Sequence, residues 1–153
     1  MTDNIIAEIG KVFGSTMIDV VAKTTGIQIE ILEDEHDISL DEFVGIMSLN
    51  SIKGGLFLIS AKEHDMRFIC SYMLGLRAWD VSVADIGDVL CELVNMTAGN
   101  ARLQFRYPEY MFTLTTPFLL SGVDMAITTK KRADDIIIGF GNKDIKLSIR
   151  LIY

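Results

Sequence analysis

Hydrophobic and polar positions follow two different periods along this chain, and each period predicts one type of element. Apolar residues recur every three or four positions over residues 4–25, which predicts a helix that ends at Gly26. Apolar and polar residues alternate over 27–33, as in a half-buried strand, and further β-type segments follow at 42–51 and 54–60. This part of the chain is therefore predicted as one helix followed by three strands.

The period changes at Ser60. Ser60 and Glu63 have the spacing of a capping box, so a shorter helix is expected to begin at Ser60 and to end at Gly75. A second long helix is predicted over 82–105, with Ser82 as its N-cap. Beyond it only strands are predicted, over residues 110–115, 118–120, 124–129, 135–140 and 145–153.

These elements predict an α+β fold of two layers, in which a mainly antiparallel sheet is packed by two long helices and a shorter one. The length of 153 residues, with no Pro/Gly/Ser-rich linker, favours a single domain over 1–153. The two long helices superimpose when Gly26 is aligned with Gly99, a shift of 73 residues. Because each helix precedes a β-rich segment, we predict an internal repeat.

Charge and hydropathy exclude several classes of partner. The net charge is −7 and the pI about 4.7, so most of the surface would repel nucleic acid, and the basic residues 130–132 are expected to form a solvated turn. No apolar run approaches the roughly 18 residues of a membrane span, and no secretory leader is recognisable. Cys70 and Cys91 lie in apolar helical patterns and are expected to be buried free thiols of a cytoplasmic protein.

One face of the predicted long helix at 82–105 is polar. At about 100° per residue, five residues fall within an arc of roughly 80°. They are Asp85, Asp88, Glu92, Asn95 and Gly99. Such a stripe is often only a solvated face, but an ordinary solvated face mixes acids with bases, and this one has no basic residue before Arg102. The helix-destabilising Gly99 also favours the close approach of another backbone. The apolar side, which is expected to pack on the sheet, carries Ile86, Val89, Leu90, Leu93, Val94 and Thr97.

The spacing Asp88-x-x-x-Glu92-x-x-Asn95 resembles the Asp/Ser-x3-Glu-x2-Asn signature of the CheC, CheX and FliY phosphatases of bacterial chemotaxis. The stretch 96–101 is similar to the continuation of that helix in CheX-like proteins, and Pro117 stands near a proline of the family pattern. The resemblance extends over the whole chain in the order of its elements. It implies a CheC/CheX-like fold.

The resemblance also implies an activity, namely hydrolysis of the aspartyl phosphate on a CheY-like receiver domain, in chemotaxis or another two-component pathway. Glu92 would pair with a lysine of the receiver, and Asn95 would hold the attacking water in line with phosphorus. Asp88 would orient Glu92 or contact the receiver surface. No cofactor or metal of the chain's own is expected, since Mg²⁺ would be supplied by the phosphorylated receiver.

Two features limit this interpretation. In CheC-like members both long helices can carry the motif, whereas the first helix here has Ser15, Asp19 and Ala22 at the equivalent positions, so we predict one functional site. A non-catalytic adaptor of the same fold, which binds a receiver without turnover, remains the main alternative. Glu92 alone would suffice for such binding, and Asn95 would not be needed.

Three further expectations concern surfaces. The apolar strand at 145–153 is predicted to form an edge of the sheet, and such an edge is usually paired or covered. CheX-like proteins also dimerise, so a homodimer is predicted. Trp79, close to a helix boundary, is expected to be partly buried packing. His36 and His64 are expected to be ordinary surface residues.

Overall fold

The computed structural model describes residues 2–33, 39–129 and 134–153, and within them the chain forms three α-helices and six strands. The helices are α1 (Thr2–Thr25), α2 (Glu63–Leu74) and α3 (Val83–Arg102), and a 3-10 turn covers Ala78–Asp80. The strands are β1 (Glu30–Leu32), β2 (Phe43–Ser48), β3 (Leu56–Ala61), β4 (Phe118–Ser121), β5 (Asp135–Gly141) and β6 (Lys146–Ile152).

The six strands form one sheet with the order β1-β5-β6-β3-β2-β4, and every neighbouring pair is antiparallel. The main core lies between one face of this sheet and the helices, where Phe13 of α1, Phe57 of β3 and Leu93 of α3 are fully buried. A smaller apolar cluster, which includes Val44 and Leu58, lies on the other face. The predicted α+β fold with an antiparallel sheet is confirmed.

The strand order has an internal symmetry. Exchanging β1 with β4, β2 with β5 and β3 with β6 reverses the order and leaves every pairing intact. The first strand of each half, β1 or β4, pairs with the hairpin of the other half. This topology supports the predicted repeat. The two aligned glycines nevertheless differ in role, because Gly26 follows the end of α1 with φ of 75° and Gly99 lies inside α3.

The beginning of α2 differs from the prediction. Ser60 is not its cap but a residue of β3, and its hydroxyl accepts a hydrogen bond from the Asp41 amide at 2.8 Å. The helix begins at Glu63, whose amide donates to the Glu42 carboxylate at 2.6 Å. Because this capping group comes from a distant segment, the local sequence could not indicate it.

Two predicted strands are absent from the described residues. The segment 110–115 makes one isolated bridge, between Thr113 and Asn50, and 124–129 contains no strand. Apolar residues do alternate in the second segment, but Met125 and Ile127 pack on the cluster on the outer face of the sheet instead of joining an edge.

Three further expectations about the architecture have different outcomes. The strand predicted at a sheet edge, 145–153, forms β6, which lies in the interior of the sheet between β5 and β3. None of the helices in the described ranges combines the length and the hydropathy of a membrane span. The basic residues 130–132 and His36 lie outside the described residues.

Gly45 of β2 lies directly beneath α3. A Cβ atom at this position would stand 2.8 Å from Val94 Cγ2 and 3.1 Å from Leu90 Cγ, and 3.3 Å from the Leu90 carbonyl oxygen. Real Cβ contacts are longer than the first of these, so the absence of a side chain permits the close approach of helix and strand. The contact sets the height of α3 above the sheet.

We expect Gly45→Ala to lower the free energy of unfolding by about 1–3 kcal/mol, because the added methyl group must displace the Val94 and Leu90 side chains. Chemical denaturation followed by circular dichroism measures this change. Gly14→Ala on α1 is the matched control, since its added Cβ would lie 3.6 Å from Ile138 Cδ1, an ordinary contact, and alanine favours a helix. Equal stability of the Gly45 variant and wild type would show that α3 is not tightly seated there.

Candidate functional site

The helix α3 begins with a complete capping box. The Ser82 hydroxyl accepts from the Asp85 amide at 3.0 Å, and the Asp85 carboxylate accepts from the Ser82 amide at 2.8 Å. The predicted N-cap is confirmed. These hydrogen bonds to Ser82, the one from its backbone first, hold the pKa of Asp85 below its ordinary value. Asp85 therefore serves the start of the helix, although it lies on the predicted polar stripe.

The inner face of α3 fixes the rotation of the helix. All six apolar-side residues of the prediction are buried, together with Ala98 and Ala101. Asp88, Glu92 and Asn95 are exposed on the opposite side. With a rise of about 1.5 Å per residue, Glu92 lies about 6 Å along the axis from Asp88 and about 4.5 Å from Asn95. The helix thus displays a carboxylate, a second carboxylate and an amide on successive turns.

The three exposed side chains are not engaged by the described part of the chain. No hydrogen bond or ion pair of Asp88, Glu92 or Asn95 side chains occurs within residues 2–33, 39–129 and 134–153. The expectation that Asp88 orients Glu92 through a contact therefore has no support within these residues. A carboxylate and an amide held on a rigid helix and left to solvent can bind the complementary groups of a partner without first breaking contacts within the described part of the chain.

Gly99 lies at the far end of the stripe, next to the segment that leads to β4. An added Cβ at Gly99 would lie 3.6 Å from Leu114 Cδ1, which is ordinary van der Waals contact. The neighbour is a side chain and the space would accommodate a methyl group, so no backbone of the described residues approaches Gly99 closely. Pro117 directly precedes β4 and is partly buried.

The two cysteines are free, and they differ in exposure. Cys70 of α2 is buried as predicted, and burial, followed by the charge of Asp85, raises the pKa of its thiol to about 11. Cys91 lies on the flank of α3 and is only partly buried, contrary to the prediction. Burial, followed by the charge of Asp88, raises the pKa of Cys91 as well. Both thiols are therefore poor nucleophiles at neutral pH.

The position of α1 that corresponds to Asn95 lacks an amide. Ser15 and Asp19 are exposed and Ala22 is partly buried, and the Ser15 hydroxyl donates to the Val12 carbonyl of its own helix at 3.2 Å. The two helices pack side by side. Gln104 follows the end of α3, and its side-chain amide donates to the Thr16 hydroxyl at 3.0 Å. At these equivalent positions α1 therefore does not repeat the carboxylate and amide of Glu92 and Asn95.

Other potential sites offer less chemistry. The described ranges hold no group of three or more His, Cys, Asp or Glu side chains arranged for a metal ion. A cavity of about 800 Å³ lies near the β5–β6 turn. Its lining comes from that turn, from β5 and β6, from the start of α2 and from residues 39 and 41, and includes none from α3.

Sequence reasoning missed an exposed aromatic surface at the other side of α2. Trp79 is 74% exposed and not partly buried, and no residue of the 3-10 turn that carries it is buried. The Arg77 guanidinium lies 5.1 Å from the centre of its ring. A groove of about 420 Å³ separates Trp79 from α2, and it is lined by His64, Arg67, Phe68, Ala78 and Trp79. The sequence did contain a signal of this exposure, because Trp79 lies between two predicted helices and belongs to the apolar period of neither.

Comparison with known proteins places this geometry in a family. The family model described as chemotaxis phosphatase CheX matches residues 43–141. No curated protein sequence matches the chain. Among solved structures, chemotaxis protein CheX from Vibrio vulnificus is 20% identical with a TM-score of 0.81, and 95% of this chain and 98% of that chain are covered. CheX from Desulfovibrio desulfuricans is likewise 20% identical, with a TM-score of 0.80, and 95% of this chain and 99% of that chain are covered.

A third solved structure is the CheX–CheY–BeF₃–Mg²⁺ complex from Borrelia burgdorferi. Its similar chain is 18% identical with a TM-score of 0.79, and 93% of this chain and 95% of that chain are covered. At such identities the three structures show a common fold. The family model covers more than half of the sequence, from the first residue of β2 to the last residue of β5. The chain therefore belongs to the CheX family of chemotaxis phosphatases.

Proposed function

We propose that this phosphatase hydrolyses the aspartyl phosphate of a CheY-like receiver domain, and that α3 is the helix that enters the receiver's active site. The observation that carries the proposal is the pair Glu92 and Asn95, exposed on adjacent turns of a rigid helix and not engaged by the described part of the chain. A related chain, the Borrelia burgdorferi CheX, has been crystallised with CheY, BeF₃ and Mg²⁺. That complex supports a receiver as the partner.

Asn95 is proposed to position the attacking water. A carboxamide is too weakly basic to remove a proton, but it can accept one hydrogen bond from a water molecule and donate another. A water held in line with the phosphorus atom loses its translational and rotational freedom before the reaction, and this accounts for acceleration without a general base. The solvent exposure of Asn95 leaves its amide free to meet a phosphoryl group on a partner.

Glu92 is proposed to form the charged contact of the complex. Its carboxylate lies one turn from Asn95 and would pair with a lysine of the receiver, so that the pair fixes both register and orientation. Asp88, one turn further towards the start of α3, is proposed as a supporting contact with the receiver surface. The Mg²⁺ that neutralises phosphoryl oxygens is proposed to be held by the receiver, and the chain would need no cofactor of its own.

We further propose that the protein works as a homodimer in the cytoplasm. The two free cysteines suit a reducing compartment.

Because β6 is an inner strand, the dimer contact cannot be its edge, and β4 is the better candidate. This strand ends the sheet, and its Phe118 and Leu120 are 51% and 41% exposed. Pairing of β4 with its copy would cover both an open row of backbone groups and these apolar side chains.

The adaptor alternative predicts binding without turnover, and Asn95 separates the two functions. We expect Asn95→Ala to reduce kcat for release of phosphate from a phosphorylated CheY-like receiver by about 10²-fold or more, because the water is no longer positioned. Folding should be unaffected, since the side chain is exposed. Asn100→Ala is the matched control, an exposed asparagine on another side of α3. Equal rates for wild type and Asn95→Ala would contradict the proposed role.

Glu92→Ala tests docking. We expect the KM for the phosphorylated receiver to rise about 10-fold or more, with a lower kcat, because the receiver lysine loses its partner at the contact. Steady-state phosphate release over a range of receiver concentrations separates the two constants. Asp19→Ala on α1, the equivalent position of the repeat, should change neither constant. A strong effect at Asp19 would instead indicate a second site.

The proposed dimer can be broken at one side chain. Light scattering at micromolar concentration should give the mass of a dimer for wild type and of a monomer for Leu120→Lys, because a charge at the edge opposes strand pairing. Ile52→Lys is the control, since Ile52 is 82% exposed in the turn between β2 and β3, away from β4. A monomeric wild type would refute the dimer, and a dimeric Leu120→Lys variant would place its contact elsewhere.

A further inference from the structure

The polar stripe on α3 includes, among its five residues, no apolar side chain that could anchor a protein–protein interface. Its proposed docking residues are two acids and an amide, whereas binding energy in interfaces concentrates in buried aromatic and arginine side chains. A receiver that met only this stripe would gain orientation from charge but little from the removal of apolar surface from water. An apolar contact beside the stripe would supply what is missing.

The surface around Trp79 has the composition of such a contact. Trp79 is 74% exposed and Tyr72 is 57% exposed, and the ring of Phe68 lies 5.2 Å from that of Tyr72. Phe68 and Trp79 line opposite sides of the groove between α2 and the 3-10 turn, whose volume is about 420 Å³. We call these three aromatic residues and the groove the aromatic platform. A cluster of this kind on a surface marks a site of interaction more often than isolated apolar residues do.

The tryptophan is held in place before any partner arrives. Arg77 lies against its ring at 5.1 Å and donates to the Asp80 carboxylate at 2.7 Å. Arg67 of α2 donates to the Ala78 carbonyl at 3.3 Å and also to the Val81 carbonyl, which ties the turn to the helix. Less side-chain freedom is then lost on binding, so the platform is preorganised for contact.

The platform is also fixed relative to the proposed catalytic side chains. Val81 follows the 3-10 turn, and the next residue, Ser82, is the N-cap of α3. From Val83 to Glu92 the helix rises about 13 Å. A standard interface buries about 800 Å² on each partner, an area equal to a disc of about 16 Å radius. A receiver centred on Glu92 therefore extends to the start of α3, which Val81 and Ser82 join to the turn that carries Trp79.

We infer that the aromatic platform, with Trp79 as its central side chain, is a second docking contact for the receiver and takes an apolar side chain from the receiver surface beside its phosphorylation site. The inference rests on the proposed function, since it requires the receiver to bind on α3. Two contacts of different kinds then divide the work. The charge of Glu92 orients the receiver, and the aromatic platform contributes to affinity without touching the phosphoryl group.

The kinetic test compares Trp79→Ala with wild type on a phosphorylated CheY-like receiver. We expect KM to rise about 10-fold or more while kcat stays within about twofold, because the platform acts on docking and not on the water. Ile52→Ala removes an apolar side chain that is 82% exposed elsewhere and should change neither constant. Leu103→Ala removes one that is 76% exposed at the other end of α3, and it should have a smaller effect on KM. Thermal unfolding of each variant confirms that the fold is retained.

A direct test uses the fact that the sequence contains one tryptophan. The chain is labelled with 5-fluorotryptophan and titrated with the receiver loaded with beryllofluoride and Mg²⁺. The ¹⁹F resonance of residue 79 should shift as the complex forms, in wild type and equally in Asn95→Ala, which is expected to bind but not to turn over.

The outcomes separate the two claims. If wild type accelerates receiver dephosphorylation but Trp79→Ala has an unchanged KM, or if the resonance does not move while calorimetry detects binding, the inference about the platform is overturned and the proposed function stands. If wild type neither binds nor accelerates any phosphorylated receiver tested, the proposed function and the inference fall together.

Discussion

The contact between α3 and β2 at Gly45 determines how the outer face of α3 is presented. Val94 and Leu90 pack directly on the strand. Because the buried residues from Ile86 to Ala101 must all face the sheet, the helix can adopt only one orientation about its own axis. The buried side of the helix therefore fixes the direction in which the Cα–Cβ bonds of Glu92 and Asn95 leave the helix. The rotamers of these exposed side chains are left to be selected by a partner.

The symmetric sheet supports α1 and α3 in comparable places, yet the two helices differ in what they display. Gly10 and Gly14 of α1 lie against Ile136 and Ile138 of β5, as α3 lies against β2. On the solvent side α3 carries a carboxylate and an amide, whereas α1 has Ala22 where an amide would be needed. Fold and chemistry are therefore separable in this architecture: the inner faces are constrained by the sheet, and each outer face can differ without disturbing it.

The elements that the sequence predicted correctly are those set by local pattern. The apolar period of α1 and α3, the Ser82 cap and the exposed stripe all depend on residues a few positions apart. The errors arise where distant segments decide. Ser60 has a capping spacing but joins β3 because Val44 and Ser148 pair with it, and the segment 124–129 alternates like a strand yet covers the sheet. The engagement of Asp85 in a cap was readable locally, whereas the exposure of Trp79 depended on where the turn lies relative to α2.

The exchange of first strands between the two halves also constrains how the chain reaches this structure. Glu30 of β1 pairs with Gly141 of β5, more than a hundred residues further along the sequence. Contacts of such separation form late and slow folding, because a long loop must close before any pairing stabilises it. Neither half has a complete sheet by itself. A ribosome must therefore release nearly the whole described chain before the sheet can close. Until then β1 lacks its partner β5 and β3 lacks its partner β6, so both are open to wrong pairings.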